Sequence, residues 1–493
     1  MLDRKEKSHQ LSDSELYGLY STGPETTILF IKTLLDRLQS LEVLVKRQET
    51  ELQNLKGILA KNSRNSSKPP SSDGFNKKPT PKSQRKKSGK RPGGQQGHEG
   101  RTLQRSEIPD DTQTLSPPRC SHCHESLDDG TVVRTVKRQV IDMPKPRTII
   151  TEFIAETREC SHCHTLTEAD FPSYVTQGIQ YGPYLRSLMI YFREQNFIAT
   201  ERLAEVFHDV FGLSISEGTF INTTRRCGDL LVDFETEVIE RLVHADVIHC
   251  DETGINVGGK LHWMHSASNA LFTAYFPHAK RGKEAMDAIG ILPRYQGTAI
   301  HDGWQSYFNY LCNHGLCNSH HLRELTFAEE ECGQKWAGKM IALLLDMKKE
   351  VETACCLEKE IPEKLRNEYD LRYDAIIREG VRNNPIHDDG VHRKGRKKRG
   401  KIRCLVDRLI VYKGETLAFF YDGTIPFDNN QAERDIRMNK VQQKVSGGFR
   451  SFGAAKSFSR IRGYISTIRK HDLNVMDALV SLFNNQNVLA FLA

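Results

Sequence analysis

The sequence predicts a multidomain α+β / α/β protein, and three observations carry that expectation. Its 493 residues suffice for about three domains at the usual 100 to 200 residues each. A sustained heptad pattern near the N-terminus demands a long helix. Around residues 245–310, short β-branched runs alternate with glycine turns and a helical stretch, as in a mixed sheet with helices.

The elements follow in chain order. From Ile31 a seven-residue count places Ile31, Leu38, Val45, Leu52 and Leu59 at one seam position and Leu34, Leu41, Gln48 and Leu55 at the other. That pattern fits a coiled coil over 23–60, with Gln48 as a register-setting polar residue, or a single amphipathic helix folded on its own chain. The helix should end by "KNSRNSSKPPSSDGF", where the Pro69-Pro70 pair removes helical continuity.

Charge is concentrated in the next segment. The chain carries a net +7, yet residues 61–105 hold 13 Lys or Arg against Asp73 and Glu99. A basic, Pro, Gly and Ser-rich linker over 61–118 reads as a flexible arm for nucleic acid or as a solvated spacer. No run of about 18 apolar residues offers a membrane span. "MLDRKEKSHQLSDSELYG" lacks the apolar core of a signal peptide, so a cytoplasmic protein is expected. Twelve cysteines there point to metal ligands or buried thiols before disulfides.

Over 119–175, Cys120/Cys123 and Cys160/Cys163 form two C-x-x-C knuckles. The alternating stretches between them, "TVVRTVKRQVIDMP" and "RTIITEFIAETREC", can fold back as a hairpin, giving a zinc ribbon with four thiolates around a structural Zn²⁺. Both knuckles also read C-x-x-C-H, the attachment pattern of c-type haem, but covalent attachment requires export. His122, His124, His162 and His164 can replace a cysteine ligand or face solvent. A helical region over 176–244 contains "TERLAEVFHDVFGLSISEGTFINTTRR", where Gly212 separates two helices and Ser216 caps the second. This is a helix-turn-helix that offers Thr219, Asn222, Thr223 and Arg226 to DNA, or an ordinary helix pair.

Residues 245–325 bring the strands. "DVIHC" runs into Asp251, Gly258-Gly259 turns the chain, "LFTAYFPH" extends the sheet and "GTAIHDGW" ends a short strand at Asp302. An acid at the end of a buried strand must be paired, hydrogen-bonded or metal-bound. In "FDNNQAER" Asp428 suits a helix N-cap, Gln431 its capping-box partner, and Glu433 falls in the second turn. Alone, Glu433 reads as a surface partner of Arg437. The cationic run that follows, Arg434, Arg437, Lys440, Lys444, Arg450, Lys456, Arg460 and Arg462, points instead to phosphates beside carboxylates. Carboxylates that hold two Mg²⁺ ions are the usual equipment for phosphodiester chemistry. "HRKGRKKRGKIR" (392–403), with Arg393, Lys394, Arg396, Lys397, Lys398 and Arg399, is a DNA clamp or a loop.

Taken together, "NSRNSSKPPSSDGF", the paired knuckles, "CDETGINV", "HDGWQSY", "LCNSHHLREL" and "PFDNNQAERDIRMNKVQQKVSGGFRS" resemble the transposases of the insertion sequence 66 family from about residue 28 onward. The resemblance implies a ribonuclease-H-like catalytic core, with Asp251, Asp302 and Glu433 as an Asp-Asp-Glu triad on two Mg²⁺ (or Mn²⁺) ions. It implies a mostly helical insertion over 326–415 and completion of the core by 416–493. It also implies double-stranded DNA partners at transposon ends and target, homo-oligomers through the coiled coil, accessory proteins from the same element, and a bacterial cytosolic setting at the nucleoid. One departure stands out: a glycine is expected after the second cysteine of each knuckle, where this chain has His124 and His164. His320 in "LCNSHHLREL" either orients a phosphate or is structural. A non-catalytic zinc-ribbon DNA-binding protein with an inert core, and a structure-selective nuclease of the same fold, are the alternatives.

Overall fold

The computed structural model describes residues 12–61, 65, 103–386 and 400–486. Most of the predicted basic arm lies outside the described residues, as do Arg393, Lys394, Arg396, Lys397, Lys398 and Arg399 of the basic loop. The chain divides into two compact units, one of Met1–Pro79, Ser173–Ala199 and Phe220–Ala493, the other of Thr80–Pro172 and Thr200–Thr219.

Helices α1 (Asp13–Ser21) and α2 (Pro24–Leu59) come first. The whole heptad stretch falls inside α2, and its seam is open to solvent, with Leu38 and Leu52 each 56% exposed.

In the second unit each C-x-x-C pair closes its own knuckle. Cys120 N donates to Glu125 O and His124 N to Cys120 O, and the pattern repeats at Cys160 N to Thr165 O and His164 N to Cys160 O. His124 and His164 both sit at positive φ, 63° and 57°. That is the left-handed backbone glycine adopts most readily, which explains why glycine is the expected residue there. Strands β1 (Thr157–Glu159) and β2 (Leu166–Glu168) pair antiparallel around the second knuckle, and a single antiparallel bridge between Arg119 and Ser126 flanks the first. The expected hairpin between the knuckles is not formed: residues 131–156 carry no strand. Val133, Val140 and Ile150 are all more than 90% exposed, and a two-stranded ribbon with no covering layer is marginal in water. No three of the four knuckle cysteines bring their sulfurs within 4.8 Å of one another.

Helix α3 (Pro183–Ile190) runs into a π-helical turn, Tyr191–Gln195, followed by α4 (Thr200–Phe211), α5 (Glu217–Leu230) and α6 (Val232–Val243). Gly212 (φ +67°) ends α4, and Ser216 Oγ accepts from Thr219 N at 3.3 Å to start α5. Asn222 and Arg226 are exposed on α5. Thr223 is not available to a groove: it is buried, its hydroxyl 3.7 Å from Met189 Sδ.

The main sheet consists of β3 (Val247–Val257), β4 (Lys260–Ser268), β5 (Thr273–His278), β6 (Thr298–His301) and β7 (Asn313–Leu316), with α7 (Lys283–Ile289) leading from β5 toward β6. The spatial order is β5-β4-β3-β6-β7. β4 is antiparallel to both neighbours, whereas β6 is parallel to β3 and β7 to β6. Gly258 and Gly259, at φ 57° and 78°, make the two-residue β3–β4 turn, the primed geometry that matches the twist of a hairpin.

Helices α8 (Asn318–Glu330), α9 (Lys335–Cys356), α10 (Glu363–Asn383), α11 (Lys401–Val411), α12 (Lys413–Thr416) and α13 (Ala418–Tyr421) follow β7. They enclose a core of their own around Trp336, Leu344, Tyr373 and Leu409. The chain then supplies α14 (Asn430–Ser446), α15 (Phe452–Lys470) and α16 (Val475–Phe483). The main core joins sheet residues Ile248 and Ala299 to Leu242 of α6, Tyr464 and Ile468 of α15, and Leu482 of α16. A smaller core of Ile255, Val257, Met264, Phe449 and Phe458 seats the far end of β3.

Candidate active site

Strand register sets up the site. Val247 pairs with Thr298 and His249 with Ile300, while Thr298 pairs with Asn313 and His301 with Leu316. Carried past the paired residues, the same offsets bring Asp302 level with Asp251 on one side and with Cys317 on the other. Adjacent strands lie about 4.8 Å apart, so the two aspartates are neighbours across the sheet. Asp251 does not close its strand, as the sequence suggested, but lies in the middle of β3; Asp302 does follow the last residue of β6. Glu252 N donates to Asp251 Oδ1 at 2.9 Å and Trp304 N to Asp302 Oδ1 at 2.8 Å, fixing both carboxylates.

Asn429 brings the third acid to the same place. It is 2% exposed. Its Oδ1 meets His249 Nδ1 at 2.8 Å, its Nδ2 donates to Cys250 O at 2.8 Å, and its backbone N–H donates to Cys317 Sγ at 3.2 Å. These bonds pin the start of α14 beside the residues just before Asp251 and just after β7. Asp428 is consequently not the N-cap. It accepts from Asn430 N at 3.1 Å, and Gln431 donates to Asn269 O instead of reaching back to a cap. The helix starts at Asn430, which moves Glu433 into its first turn.

At the other end, α14 stops at Gly447 (φ 71°) and Gly448 (φ 128°), and Phe449 N donates to Asn256 O at 2.8 Å. A Cβ on Gly448 would lie 2.7 Å from Asn256 O. The helix is therefore fastened to β3 at both ends. Electrostatics record the convergence: burial pushes the Asp251 carboxyl well above the usual carboxylate range, and Glu252, Asp302 and Glu433 push it further in the same direction. Around Glu433, Arg323 Nη2 lies 3.4 Å from Oε2 and His320 Nδ1 lies 3.7 Å from Oε1. The sulfur of Cys317 and the ligating atoms of His320 and Glu433 all lie within 4.8 Å of one another.

Residues 178–457, more than half of the chain and the part that contains Asp251, Asp302 and Glu433, match the family model described as Transposase IS66 family. The chain belongs to the IS66 transposase family. Residues 25–104 match a second model, described as a family of unknown function, DUF6444. No individual curated protein matches the chain. As a family member the protein is a DNA-processing enzyme, and among its described residues no helix is long and apolar enough to cross a membrane.

On this transposase, α14 presents its cations outward. Arg434, Arg437, Lys440 and Lys444 are exposed along one face while Ala432, Ile436 and Asn439 are buried on the other, and Arg450 is exposed just beyond the helix. Lys440 Nζ also donates to Gly254 O at 2.5 Å, which ties it to β3. Two cations of the predicted run are not free for DNA. Arg460 pairs with Glu235 at 2.7 Å, and Arg462 is 6% exposed, stacked over the Phe197 ring.

Several residues of the site escaped the sequence reading. Glu252 alternates with Asp251 and so faces the opposite side of the strand. There it accepts from Tyr307 Oη at 2.6 Å and pairs with Arg281 at 2.8 Å, and the Arg281 guanidinium lies 4.9 Å from the Trp263 ring and 3.9 Å from that of Trp304. His301 is fully buried; its Nδ1 accepts from Gly303 N at 3.1 Å and its Nε2 meets His314 Nδ1 at 3.1 Å, which steadies the turn carrying Asp302. The adjacency of an acid to Asp251 was a visible signal for Glu252; Asn429 offered none.

Family membership implies use of a divalent metal; the donor types fit one, while the ligating oxygens of Asp251, Asp302 and Glu433 do not all lie within 4.8 Å of one another. Asp251, Asp302 and Glu433 offer only oxygens, the donor set that hard cations prefer. Glu433 Oε1 is shut off from solvent with no hydrogen-bond partner. A cation would satisfy that oxygen and offset the crowding of negative charge at Asp251.

Proposed function

We propose that this transposase cleaves the ends of a mobile DNA element and joins the freed 3′-hydroxyls to target DNA, with Asp251, Asp302 and Glu433 as the catalytic carboxylates. The observation that carries the reading is their convergence, two from register-matched parallel strands and one from a helix clamped to the same strand. The strand order, in which only β4 runs against the others, supports a ribonuclease-H-like core.

In this reading the three carboxylates hold a pair of magnesium ions, for which manganese can substitute. Ions held by Asp251, Asp302 and Glu433 would supply Lewis acidity for the attacking water or hydroxyl and for the leaving oxygen. A cation beside Asp251 would offset the cost of holding that buried carboxyl as an anion. Asn429 keeps Glu433 at the sheet, and exposed Arg434, Arg437, Lys444 and Arg450 bind phosphates on either side of the scissile bond. Cys120, Cys123, Cys160 and Cys163 would supply the thiolates for a structural zinc ion, and the exposed seam of α2 pairs with a second copy as a coiled coil.

The deciding experiment incubates the full chain with labelled element-end DNA and Mg²⁺. Cleaved ends that become covalently joined to target DNA are expected. Cleavage without joining would favour a nuclease, and binding without either product would favour an inert core.

A further inference from the structure

We infer that Cys317, His320 and Glu433 form a binding site for a thiophilic divalent cation of the zinc class, sharing Glu433 with the carboxylate triad. Cys317 is the residue that precedes α8 and His320 is the third residue of that helix, so a C-x-x-H spacing turns both side chains toward the start of α14. Their ligating atoms and that of Glu433 lie within 4.8 Å of one another. His320 Nδ1 and Glu433 Oε1 face each other at 3.7 Å, too far for a hydrogen bond. Both atoms are shut off from solvent and neither has a hydrogen-bond partner. Buried polar atoms that remain unpartnered while pointing at each other are costly unless something sits between them.

Donor chemistry selects the cation. A thiolate, an imidazole and one carboxylate oxygen suit zinc, whereas magnesium avoids sulfur. A histidine nitrogen and a carboxylate oxygen on a tetrahedral zinc, with bonds of about 2.0–2.2 Å, stand roughly 3.3–3.5 Å apart, so a small closure of the 3.7 Å between His320 and Glu433 seats the ion. Burial pushes the Cys317 thiol up to about 11, and Asn429 N–H at 3.2 Å from Sγ opposes that; the proton that a bound cation displaces passes to solvent. Arg323, beside Glu433 Oε2, orients the carboxylate so that Oε1 turns inward. Three protein ligands leave a fourth position open, and the side chains of His320 and Glu433, 22% and 21% exposed, give the ion a way in.

The consequence, which rests on the proposed role of Glu433, is competition. With Oε1 held by a zinc-class ion, the triad lacks its helix ligand, so such an ion inhibits magnesium-dependent cleavage.

Cobalt(II) titration of the full chain, followed by absorption spectroscopy, tests the site. The wild-type chain should bind one more equivalent with sulfur-to-cobalt charge-transfer absorption than Cys317→Ser, and His320→Ala should weaken that equivalent at least about tenfold. Asp302→Asn should retain it. Identical stoichiometry and spectra for the wild type and a folded Cys317→Ser would overturn the site, as would loss of the equivalent in Asp302→Asn. If Cys317→Ser fails to fold, unchanged cobalt affinity in His320→Ala overturns it equally. Asp302→Asn also separates the two proposals, since it should lose cleavage while keeping the cobalt equivalent.

Discussion

Asn429 Oδ1 and His249 Nδ1 meet at 2.8 Å across 180 residues of chain, inside a core that excludes water. The same side chain donates to Cys250 O. Asn429→Asp keeps the acceptor but loses that donor and buries a charge near Asp251. We expect it to cost about 3 kcal/mol or more, read as a lower midpoint in urea denaturation. Asn429→Ala should cost roughly 1–3 kcal/mol.

Asp251→Asn, Asp302→Asn and Glu433→Gln should each reduce Mg²⁺-dependent cleavage by at least about a thousandfold. DNA affinity, measured by fluorescence anisotropy, should stay within a few-fold of the wild type. Strand transfer surviving in any one of the three would remove that residue from the triad.

The exposed face of α14 predicts a salt signature. Replacing Arg434, Arg437 and Lys444 together by alanine should lower the slope of log affinity against log salt by about 0.9 for each phosphate that is no longer neutralised. Arg462→Ala should instead lower the melting temperature and leave the slope unchanged, because its guanidinium is buried against Phe197.

Two buried imidazoles set an acid limit. Burial lowers His301 to about 3 and His265 to about 4. In the unfolded chain both would titrate near 6.5, so the native state binds fewer protons between these limits. Their stabilising contribution is complete above about pH 6.5 and declines as the pH falls toward 3–4, by roughly 1–2 kcal/mol per histidine at pH 5. Thermal melts of the wild type and His301→Gln at pH 7.5 and 5 should show a smaller acid-induced drop for the variant.

Much of the site was legible because its signals are local. Apolar β-branched runs gave β3 and β6, and the acids at or beside them were conspicuous. The match between Asp251 and Asp302 was not legible, since register is fixed only when strands pair. Asp428 was misread for a related reason: local propensity favours aspartate at a cap, but the tertiary bonds of Asn429 decide where α14 begins. Alternation over 131–156 carries a strand pattern with no layer to cover it. Arg462 shows the opposite error, a cation in a basic run that packing turned inward.

The 130 residues between Asp302 and Glu433 are largely helices with a core of their own. A ribosome exposes the two aspartates long before it exposes α14, and α15, which covers β5 and fills the main core, emerges later still. Half-made or prematurely terminated chains thus hold an incomplete set of acids on an uncovered sheet. On the proposed mechanism, a chain that ends before α14 holds two of the three acids and lacks the third.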